Sequence, residues 1–375
     1  MIDILFVITR LAVGGAPQNV LATLRGLDRS RYRITVVTGP PRPEEGSLVA
    51  AAKAQGVTLR VLPYLVREIH PLYDAMAFAG LYRMMRQGRY QIVHTHLSKA
   101  GIVGRLAASC AGIPGIVHTY HGDVFERYFG SLKSEVLLGV ERLVGRVTHR
   151  FVVVSEALRA RYRAYRVGKS HLFRTVPNGV WPDSFLHSHP GGGQRCRVGT
   201  VAMFYPIKRV DLFVEVARKV LRCHPDAEFV VAGGGTGEAE LREAARDLGD
   251  RIRLLGVRYD VPDLLASFGV FVLCSDYEGA GVGLMEAMLS GVPVVSTRVG
   301  GVSEVVDDGE TGFLVPQGDV DALAERVLRL MGDPELRNRM GKAGRQVALK
   351  RFSAEAMVAR LDVLYREVLT EARAR

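Results

Sequence analysis

The sequence of 375 residues contains little cysteine, a single tryptophan and no long apolar run. Its four cysteines are widely scattered, at Cys110, Cys196, Cys223 and Cys274, so they show no paired metal-ligand spacing and favour reduced thiols. No apolar stretch approaches the ~20 residues of a membrane-spanning helix. The N-terminus, MIDILFVITR, has its basic residue after the apolar run, the reverse of a secretory signal. These absences predict a cytoplasmic protein.

Positive charge is concentrated in the first half of the chain. Residues 1–185 hold 25 Lys and Arg against 12 Asp and Glu, whereas residues 186–375 hold 25 against 27. The excess is greatest between Arg142 and Arg174, where Glu156 is the only acid. Such a surface attracts phosphates or an anionic membrane leaflet, although a charge run is also often a merely solvated face.

Short apolar runs alternate with helical patterns along the chain, which predicts an α/β fold of two tandem, doubly wound parallel sheets. In the first half, strands are predicted at 2–9, 32–39, 57–63, 90–96, 115–122 and 150–156. In the second half, after a Gly-rich stretch at 187–195 that is typical of a linker, strands are predicted at 197–204, 227–235, 252–256, 270–275, 293–298 and 312–316. We expect domains at 1–185 and 186–352, with a last helix at about 353–375 packing back on the first. Ligands bind such sheets beyond the carboxyl ends of the strands, so an interdomain cleft is the expected place for chemistry.

The most informative segment is 275–297, in which a strand runs into a Gly-rich loop that begins a helix. Backbone amides at a helix start can hold a diphosphate because they point outward without partners. Three glycines let a ligand approach closely: Gly279, Gly281 and Gly283. Glu286, about one turn into the helix, is placed to accept hydrogen bonds from ribose hydroxyls, and Glu278 could reach a sugar hydroxyl.

This segment resembles the E-x7-E signature of the retaining glycosyltransferases with the GT-B fold, in particular family 4, also called group 1. The resemblance implies that Glu286 binds the donor ribose, that Glu278 contacts the transferred sugar, and that the amides near Gly281 and Val282 hold the pyrophosphate. It further implies two Rossmann-like domains, no metal and no cofactor, and a UDP- or GDP-sugar as the donor.

A second segment, 198–217, resembles the phosphate-binding element of the same family. Lys208 lies at the position whose ammonium neutralises the departing diphosphate, where a fixed cation helps most. The family's arginine position holds Met203, and Arg209 or Arg298 are candidates to replace that contact.

Other family positions are matched by single residues or short loops. Gly14 and Gly15 resemble the N-terminal loop that lies against donor or acceptor, and His121 matches the histidine beside the reacting sugar. Asp123 is a candidate on the acceptor side. Arg258 lies where the family contacts the base. The segment 296–315, with Gly300, Gly301 and Glu304, resembles the part that closes the nucleotide pocket.

The resemblance implies a glycosyltransferase that retains anomeric configuration, with the leaving diphosphate taking the acceptor proton. The basic first half suggests an acceptor with phosphates, such as a polyprenyl-diphosphate-linked glycan in polysaccharide assembly. It also suggests a peripheral contact with the inner membrane leaflet. No nucleic-acid partner is expected.

Three alternatives remain open at this stage. A metal enzyme is suggested by four imidazoles on neighbouring predicted strands, at His94, His96, His118 and His121, although no carboxylates join them at fixed spacing. An NAD enzyme is suggested by the Gly-rich loop 232–240, whose third glycine is missing. A GT-B-fold epimerase, or a sugar-nucleotide-binding protein without catalysis, would share the fold.

Overall fold

A computed structural model describes residues 1–123, 125, 131–186 and 197–374. The predicted linker at 187–195 and Cys196 lie outside the described residues. The chain divides into two compact units. The first comprises Met1–Pro43, Ser47–Gly179 and Ala354–Arg375, and the second comprises Glu44–Gly46 and Val180–Ser353. The main passage between them falls at Gly179, slightly before the predicted boundary at residue 185.

The first unit contains a seven-stranded parallel sheet in the order β3-β2-β1-β4-β5-β6-β7. Its strands are β1 (Ile2–Ile8), β2 (Tyr32–Thr38), β3 (Thr58–Val61), β4 (Ile92–His96), β5 (Gly115–Tyr120), β6 (Arg150–Val153) and β7 (Phe173–Thr175). Its helices are α1 (Gly15–Gly26), α2 (Val49–Ala54), α3 (Pro71–Gln87), α4 (Ser98–Cys110), α5 (Ser131–Gly145), α6 (Glu156–Ala164) and α14 (Ala354–Arg373). The prediction missed β7, which is three residues long.

The second unit contains a six-stranded parallel sheet in the order β10-β9-β8-β11-β12-β13. Its strands are β8 (Arg197–Val201), β9 (Glu228–Ala232), β10 (Ile252–Leu254), β11 (Val270–Leu273), β12 (Val294–Thr297) and β13 (Gly312–Val315). Its helices are α7 (Asp183–Leu186), α8 (Val210–Cys223), α9 (Glu238–Ala244), α10 (Val261–Ala266), α11 (Val282–Leu289), α12 (Val320–Gly332) and α13 (Pro334–Arg351). A single 3-10 turn, Val302–Glu304, lies between β12 and β13.

The central strands of both sheets are buried on their two faces, as their nearly unbroken apolar sequences require. Residues 4–8 of β1 are fully buried, as are Val270, Phe271 and Val272 of β11. Helix α8 contributes a continuous apolar stripe, and Val214, Val216 and Val220 lie in the core of the second unit. The prediction of an α/β fold with two parallel sheets is therefore confirmed.

The C-terminal helix α14 belongs to the first unit and is held there by polar contacts as well as apolar packing. The Tyr365 hydroxyl lies 2.6 Å from His94 Nδ1, and the Tyr32 hydroxyl donates to Asp362 Oδ1 at 2.7 Å. Leu361, Leu364 and Val368 are buried. The part of the chain that the structure describes contains no helix long and apolar enough to cross a membrane.

Candidate active site

In the second sheet, the strand order reverses at β8 and β11, so the loops after these two strands diverge to opposite sides. Such a reversal opens a crevice at the carboxyl ends of the strands, where α/β sheets bind ligands. The two loops are tied together because the amide of Asp276 donates to the carbonyl oxygen of Ile207 at 2.8 Å. The two segments singled out in the sequence, around Lys208 and around Glu278, thus meet at this edge.

A short ion pair joins the two loops. Lys208 Nζ lies 2.6 Å from Glu278 Oε1, and the Ser275 hydroxyl donates to the same oxygen at 2.7 Å. The Glu278 side chain is 8% exposed, whereas that of Lys208 is 26% exposed. The ammonium is therefore held in place by a buried carboxylate while part of the lysine remains accessible to an anion.

Two glycines support the loop that carries Glu278. The amide of Gly301 donates to the carbonyl oxygen of Glu278 at 3.0 Å. A Cβ added at Gly300 would lie 1.9 Å from that oxygen, and Gly300 has a φ of 51° that favours glycine. Gly300 and Gly301 therefore fix the loop backbone.

Helix α11 begins without a capping side chain. Gly281 is its N-cap residue in the left-handed conformation, with φ 69° and ψ 67°, and no acidic residue lies in the first turn. The amides of Val282 and Gly283 have no partner among the described residues, and both residues are only partly buried. A Cβ at Gly283 would make only ordinary contacts, 3.4 Å from Phe271 and 3.5 Å from the Val201 carbonyl oxygen. An uncapped helix start of this kind carries partial positive charge and suits a phosphate.

Glu286 lies one turn further along α11 and is half-buried. Burial raises the pKa of its carboxyl to about 7. Its carboxyl group has no hydrogen-bond partner in the described chain. A carboxylate without a partner, one turn beyond an uncapped helix start, can accept hydrogen bonds from the hydroxyls of a ligand.

The arginines that were predicted to contact the donor are paired with acidic side chains. Arg209, in the left-handed conformation, contacts Asp211 at 2.8 Å and Asp276 at 3.6 Å. Arg258 Nε lies 2.8 Å from Asp260 Oδ1. The two remaining positions are Arg298, which is paired with Asp308, and Met203, which lies in the loop after β8.

The first sheet reverses its order at β1 and β4, and its predicted site residues follow the carboxyl ends of β1 and β5. Gly14 has a φ of 153° and precedes α1, which begins at Gly15 without a capping side chain or an acid in its first turn. His121 directly follows β5, which ends at Tyr120 rather than at the predicted residue 122.

His121 lies against a second histidine. Its Nε2 is 3.0 Å from Nδ1 of His96, the last residue of β4, and the two rings stack at 5.3 Å. Burial lowers the pKa of His121 to about 3 and that of His96 well below its usual value, so both imidazoles are neutral. His121 Nδ1 and His96 Nε2 are buried and accept or donate no hydrogen bond among the residues described.

Asp123 is buried and its carboxylate is fully engaged. It accepts hydrogen bonds from the Tyr165 hydroxyl at 2.7 Å, from the amide of Phe125 at 2.9 Å and from Arg161 Nε. Asp123 therefore ties the loop after β5 to helix α6. Its role toward an acceptor stays a prediction.

The remaining histidines of the cluster have hydroxyl partners. His94 lies between Tyr365 and Thr119, and His118 Nδ1 is 2.8 Å from Thr95 Oγ1. Within the described ranges, no three His, Cys, Asp or Glu side chains are grouped so that they could hold a metal ion.

The glycines of the loop after β9 are explained by packing. A Cβ at Gly233 would lie 1.8 Å from the Ala202 carbonyl oxygen, and the amide of Phe204 donates to the Gly234 carbonyl oxygen at 2.8 Å. This loop supports the loop after β8, which leads to Lys208.

Sequence reasoning missed the contacts that position the predicted residues. These are the contact of Ser275 with Glu278 and that of His96 with His121. A third missed contact is that of the Tyr205 hydroxyl, which donates to Glu45 Oε1 at 2.7 Å. The order of the strands could have placed His96 beside His121, since consecutive parallel strands end at the same edge.

Comparison with known proteins agrees with this geometry. The family model described as Glycosyl transferases group 1 matches residues 192–347, and the model described as Glycosyltransferase Family 4 matches residues 13–184. UDP-Gal:alpha-D-GlcNAc-diphosphoundecaprenol alpha-1,3-galactosyltransferase of Escherichia coli is 29% identical over 320 residues, which are 81% of this chain and 82% of that protein. Phosphatidyl-myo-inositol mannosyltransferase of Mycobacterium leprae (strain TN) is 28% identical over 371 residues, 96% of this chain and 94% of that protein.

Among solved structures, Anabaena Alr3699/HepE in complex with UDP and glucose has the same fold. Its TM-score is 0.82 at 20% identity, over 98% of this chain and all of that one. The two parallel-sheet units thus define a two-domain GT-B fold. The chain belongs to the glycosyltransferases of family 4.

Proposed function

We propose that this glycosyltransferase moves a hexosyl or N-acetylhexosaminyl group from a UDP- or GDP-sugar to a glycan acceptor with retention of anomeric configuration. The observation that carries the proposal is the edge of the second sheet, where Lys208, Glu278 and the start of α11 come together. In the proposed complex, the amides of Val282 and Gly283 bind the diphosphate, Glu286 accepts from the ribose hydroxyls, and Glu278 accepts from the transferred sugar.

The reaction breaks the bond between the anomeric carbon and the diphosphate oxygen. The acceptor oxygen bonds to the same face of that carbon, and its proton passes to the departing diphosphate. Lys208 stabilises the negative charge that develops on the leaving group, and the contact with Glu278 holds its ammonium ready for that task. His121 contacts a hydroxyl of the reacting sugar, and Gly14 and Gly15 bind the donor.

The stereochemistry can be tested directly. Purified protein is incubated with a panel of UDP- and GDP-sugars and polyprenyl-diphosphate-linked glycans, and the first product is examined by proton NMR. The proposal predicts an α-linked product from an α-linked donor. A β-linked product would contradict retention, and the absence of transfer and of donor hydrolysis with every donor would contradict the proposed enzyme.

We further propose that the reaction needs no divalent metal, because a fixed lysine and an uncapped helix start provide the positive charge at the diphosphate site. Transfer should therefore keep its rate in excess EDTA. A rate that falls with EDTA and returns with added Mg²⁺ or Mn²⁺ would contradict this part of the proposal.

The acceptor proposed is a phosphate-bearing, lipid-linked glycan at an anionic membrane surface. Some of the basic residues between Arg142 and Arg174 are neutralised, because Arg150 pairs with Glu371 and Arg161 with Asp123. Others are exposed and have no acidic partner in the described chain: Arg142, Arg146, Arg163, Arg166 and Lys169.

Helix α5, which contains Arg142, also has two exposed apolar side chains. Val136 and Leu143 are 60% and 59% exposed, and they share one face of α5 because they are seven residues apart. Arg142 Nε donates to the carbonyl oxygen of Tyr165 at 2.8 Å, which joins this face to the end of α6. Apolar and basic side chains together suit the interface of an anionic membrane.

Liposome co-sedimentation tests the membrane contact. Binding should require anionic lipid, weaken with salt, and fall when Val136 and Leu143 are both replaced by Ala. Leu349→Ala is the matched control, since Leu349 is an exposed apolar residue of the second unit. Equal binding to neutral vesicles, or an unchanged double variant, would contradict the proposed surface.

A further inference from the structure

The strongest feature that the proposed function does not use is the contact between two buried histidines of the first unit. His96 ends β4 and His121 follows β5, and these strands are neighbours in register, with His96 opposite Thr119. The Nδ1 of His96 and the Nε2 of His121 are 3.0 Å apart, which is hydrogen-bond distance.

This contact restricts the protons of both rings. Two neutral imidazoles carry two N–H groups between them, and a nitrogen–nitrogen hydrogen bond contains one hydrogen. The other hydrogen must therefore lie on one of the two outer nitrogens, His121 Nδ1 or His96 Nε2. If His96 donates, His121 Nδ1 is a donor; if His121 donates, His121 Nδ1 is an acceptor. The tautomer of His121 is thus tied to that of His96.

His96 itself is held firmly. Its ring stacks on Phe6 at 5.9 Å with an interplanar angle of 15°, and it lies 4.2 Å from the ring of His94. His94 is fixed in turn by Tyr365 and Thr119. A rigid ring that contacts a second ring through one nitrogen also fixes the orientation of the second.

The outer nitrogen of His121 has unused hydrogen-bonding capacity among the described residues. Its Nδ1 is buried and meets no hydrogen-bonding group in the described part of the chain. A buried polar atom without a partner costs free energy, which a substrate hydroxyl would recover by bonding to it.

We propose that His96 is a positioning residue of the sugar-transfer site, which fixes the orientation and tautomer of His121 so that Nδ1 of His121 is presented to a sugar hydroxyl. This inference rests on the proposed function, in which His121 contacts the reacting sugar. It assigns to His96 an effect on turnover rather than on donor binding, because His96 contacts His121, whereas the proposed diphosphate site belongs to the second unit.

Three substitutions separate positioning from mere packing. His96→Asn places an amide near the position of Nδ1 and can keep the hydrogen bond to His121, whereas His96→Gln moves the amide outward and His96→Leu removes it. His118→Asn is the matched control, because His118 is equally buried in the neighbouring strand and bonds to Thr95 instead. Urea midpoints are measured for all four variants.

Turnover is measured as release of nucleoside diphosphate from the most active sugar donor of the panel. We expect His96→Leu and His96→Gln to lower kcat by about 10- to 100-fold, as loss of an outer partner of other site histidines does, with the donor KM changed less than about threefold. His96→Asn should recover kcat to within about threefold of wild type. A His96→Leu variant with wild-type kcat would overturn the inference. A His118→Asn variant that loses as much kcat and as much stability as His96→Leu would also overturn it.

Nitrogen-15 NMR of histidine-labelled protein gives a readout that does not depend on activity. The His121 signals are assigned by their loss in His121→Asn. The wild type should show one tautomer of His121, and His96→Leu should show altered Nδ1 and Nε2 shifts. Unchanged His121 shifts in His96→Leu would overturn the inference even if kcat falls. If the wild type transfers and hydrolyses no donor, the proposed function fails, and these spectra still decide whether His96 sets the tautomer of His121.

Discussion

At the scale of single residues, Lys208 is distinguished by what holds it. Its ammonium is fixed by a nearly buried carboxylate that also accepts from Ser275, whereas most lysines of a basic protein are solvated. A cation that is already in place when charge develops on a leaving group costs no reorganisation during the reaction. We therefore expect the loss of Lys208 to affect turnover more than donor binding.

Lys208→Ala should lower kcat by about 100-fold or more, the loss typical of removing one preorganised group that stabilises developing charge. Lys219→Ala is the matched control, because Lys219 pairs with Asp321 on the surface of the same unit. Steady-state release of nucleoside diphosphate measures both. A kcat for Lys208→Ala within about threefold of wild type would contradict the role assigned to its ammonium.

The proposed role of Glu286 predicts a pH dependence of donor binding whose sign follows from its raised pKa. Below about pH 7 the carboxyl of Glu286 is protonated. Ribose hydroxyls donate better to the ionised form, so donor binding below that pH must release a proton. The donor Kd should therefore rise by about 20- to 30-fold as the pH falls from 7.5 to 5.5, and it should be constant above pH 8.

Calorimetric titration with an intact UDP- or GDP-sugar measures this dependence, since its diphosphate does not titrate in that range. Glu286→Gln cannot titrate, so its weaker affinity should be flat with pH. A flat profile in the wild type would show that Glu286 does not bind the donor as an anion.

At the scale of elements, the start of α11 is built differently from the other Gly-rich turns. Gly233 and Gly300 have positive φ values and would clash with backbone oxygens if they carried a Cβ, so packing explains them. Gly283 has room for a methyl group within the protein. The proposed site gives this glycine a role, because the absence of a side chain lets a diphosphate approach the helix start closely.

Gly283→Ala should leave the urea midpoint unchanged or raise it, because alanine is favoured over glycine in a helix by about 1 kcal/mol. The same substitution should weaken donor binding by about tenfold or more, since the methyl group lies where the diphosphate must approach. Gly332→Ala, at an exposed helical glycine of the same unit with no neighbour within 4 Å, should change stability alone. Donor affinity that is equal in the two variants would contradict the assigned site.

The elements themselves were largely predictable from sequence, because apolar strands and amphipathic helices alternate with clear turn residues. β7 was missed since Phe173–Thr175 is too short to show a period. The contact between His96 and His121 was not predictable from spacing, because it depends on the register of β4 and β5. The pairing of Arg209 and Arg258 with nearby acids likewise depends on loop geometry.

At the scale of the whole molecule, buried histidines make the first unit sensitive to acid. Burial lowers the pKa of His94 and His121 to about 3 and those of His96 and His118 well below 6.5. Unfolding restores their ordinary pKa, so the unfolded state binds more protons below pH 6.5. Their contribution to stability is complete above that pH and is lost as the pH falls.

The free energy of unfolding of the first unit should therefore fall by about 5 kcal/mol between pH 7 and pH 5.5 from these four groups. Urea unfolding followed by circular dichroism measures the change. Trp181 belongs to the second unit, whose described part contains a single histidine, the exposed His224. The urea midpoint followed by Trp181 fluorescence should therefore shift less with pH. Equal pH dependence of the two signals would contradict this assignment.

The proposed function depends on binding of the donor's diphosphate at the start of α11, and hydrogen–deuterium exchange with mass spectrometry can locate that binding. With saturating UDP or GDP, peptides that cover residues 279–286 and 203–208 should exchange more slowly, while the loop at 232–240 should change less. Protection confined to the 232–240 loop, or to the first unit, would contradict the account.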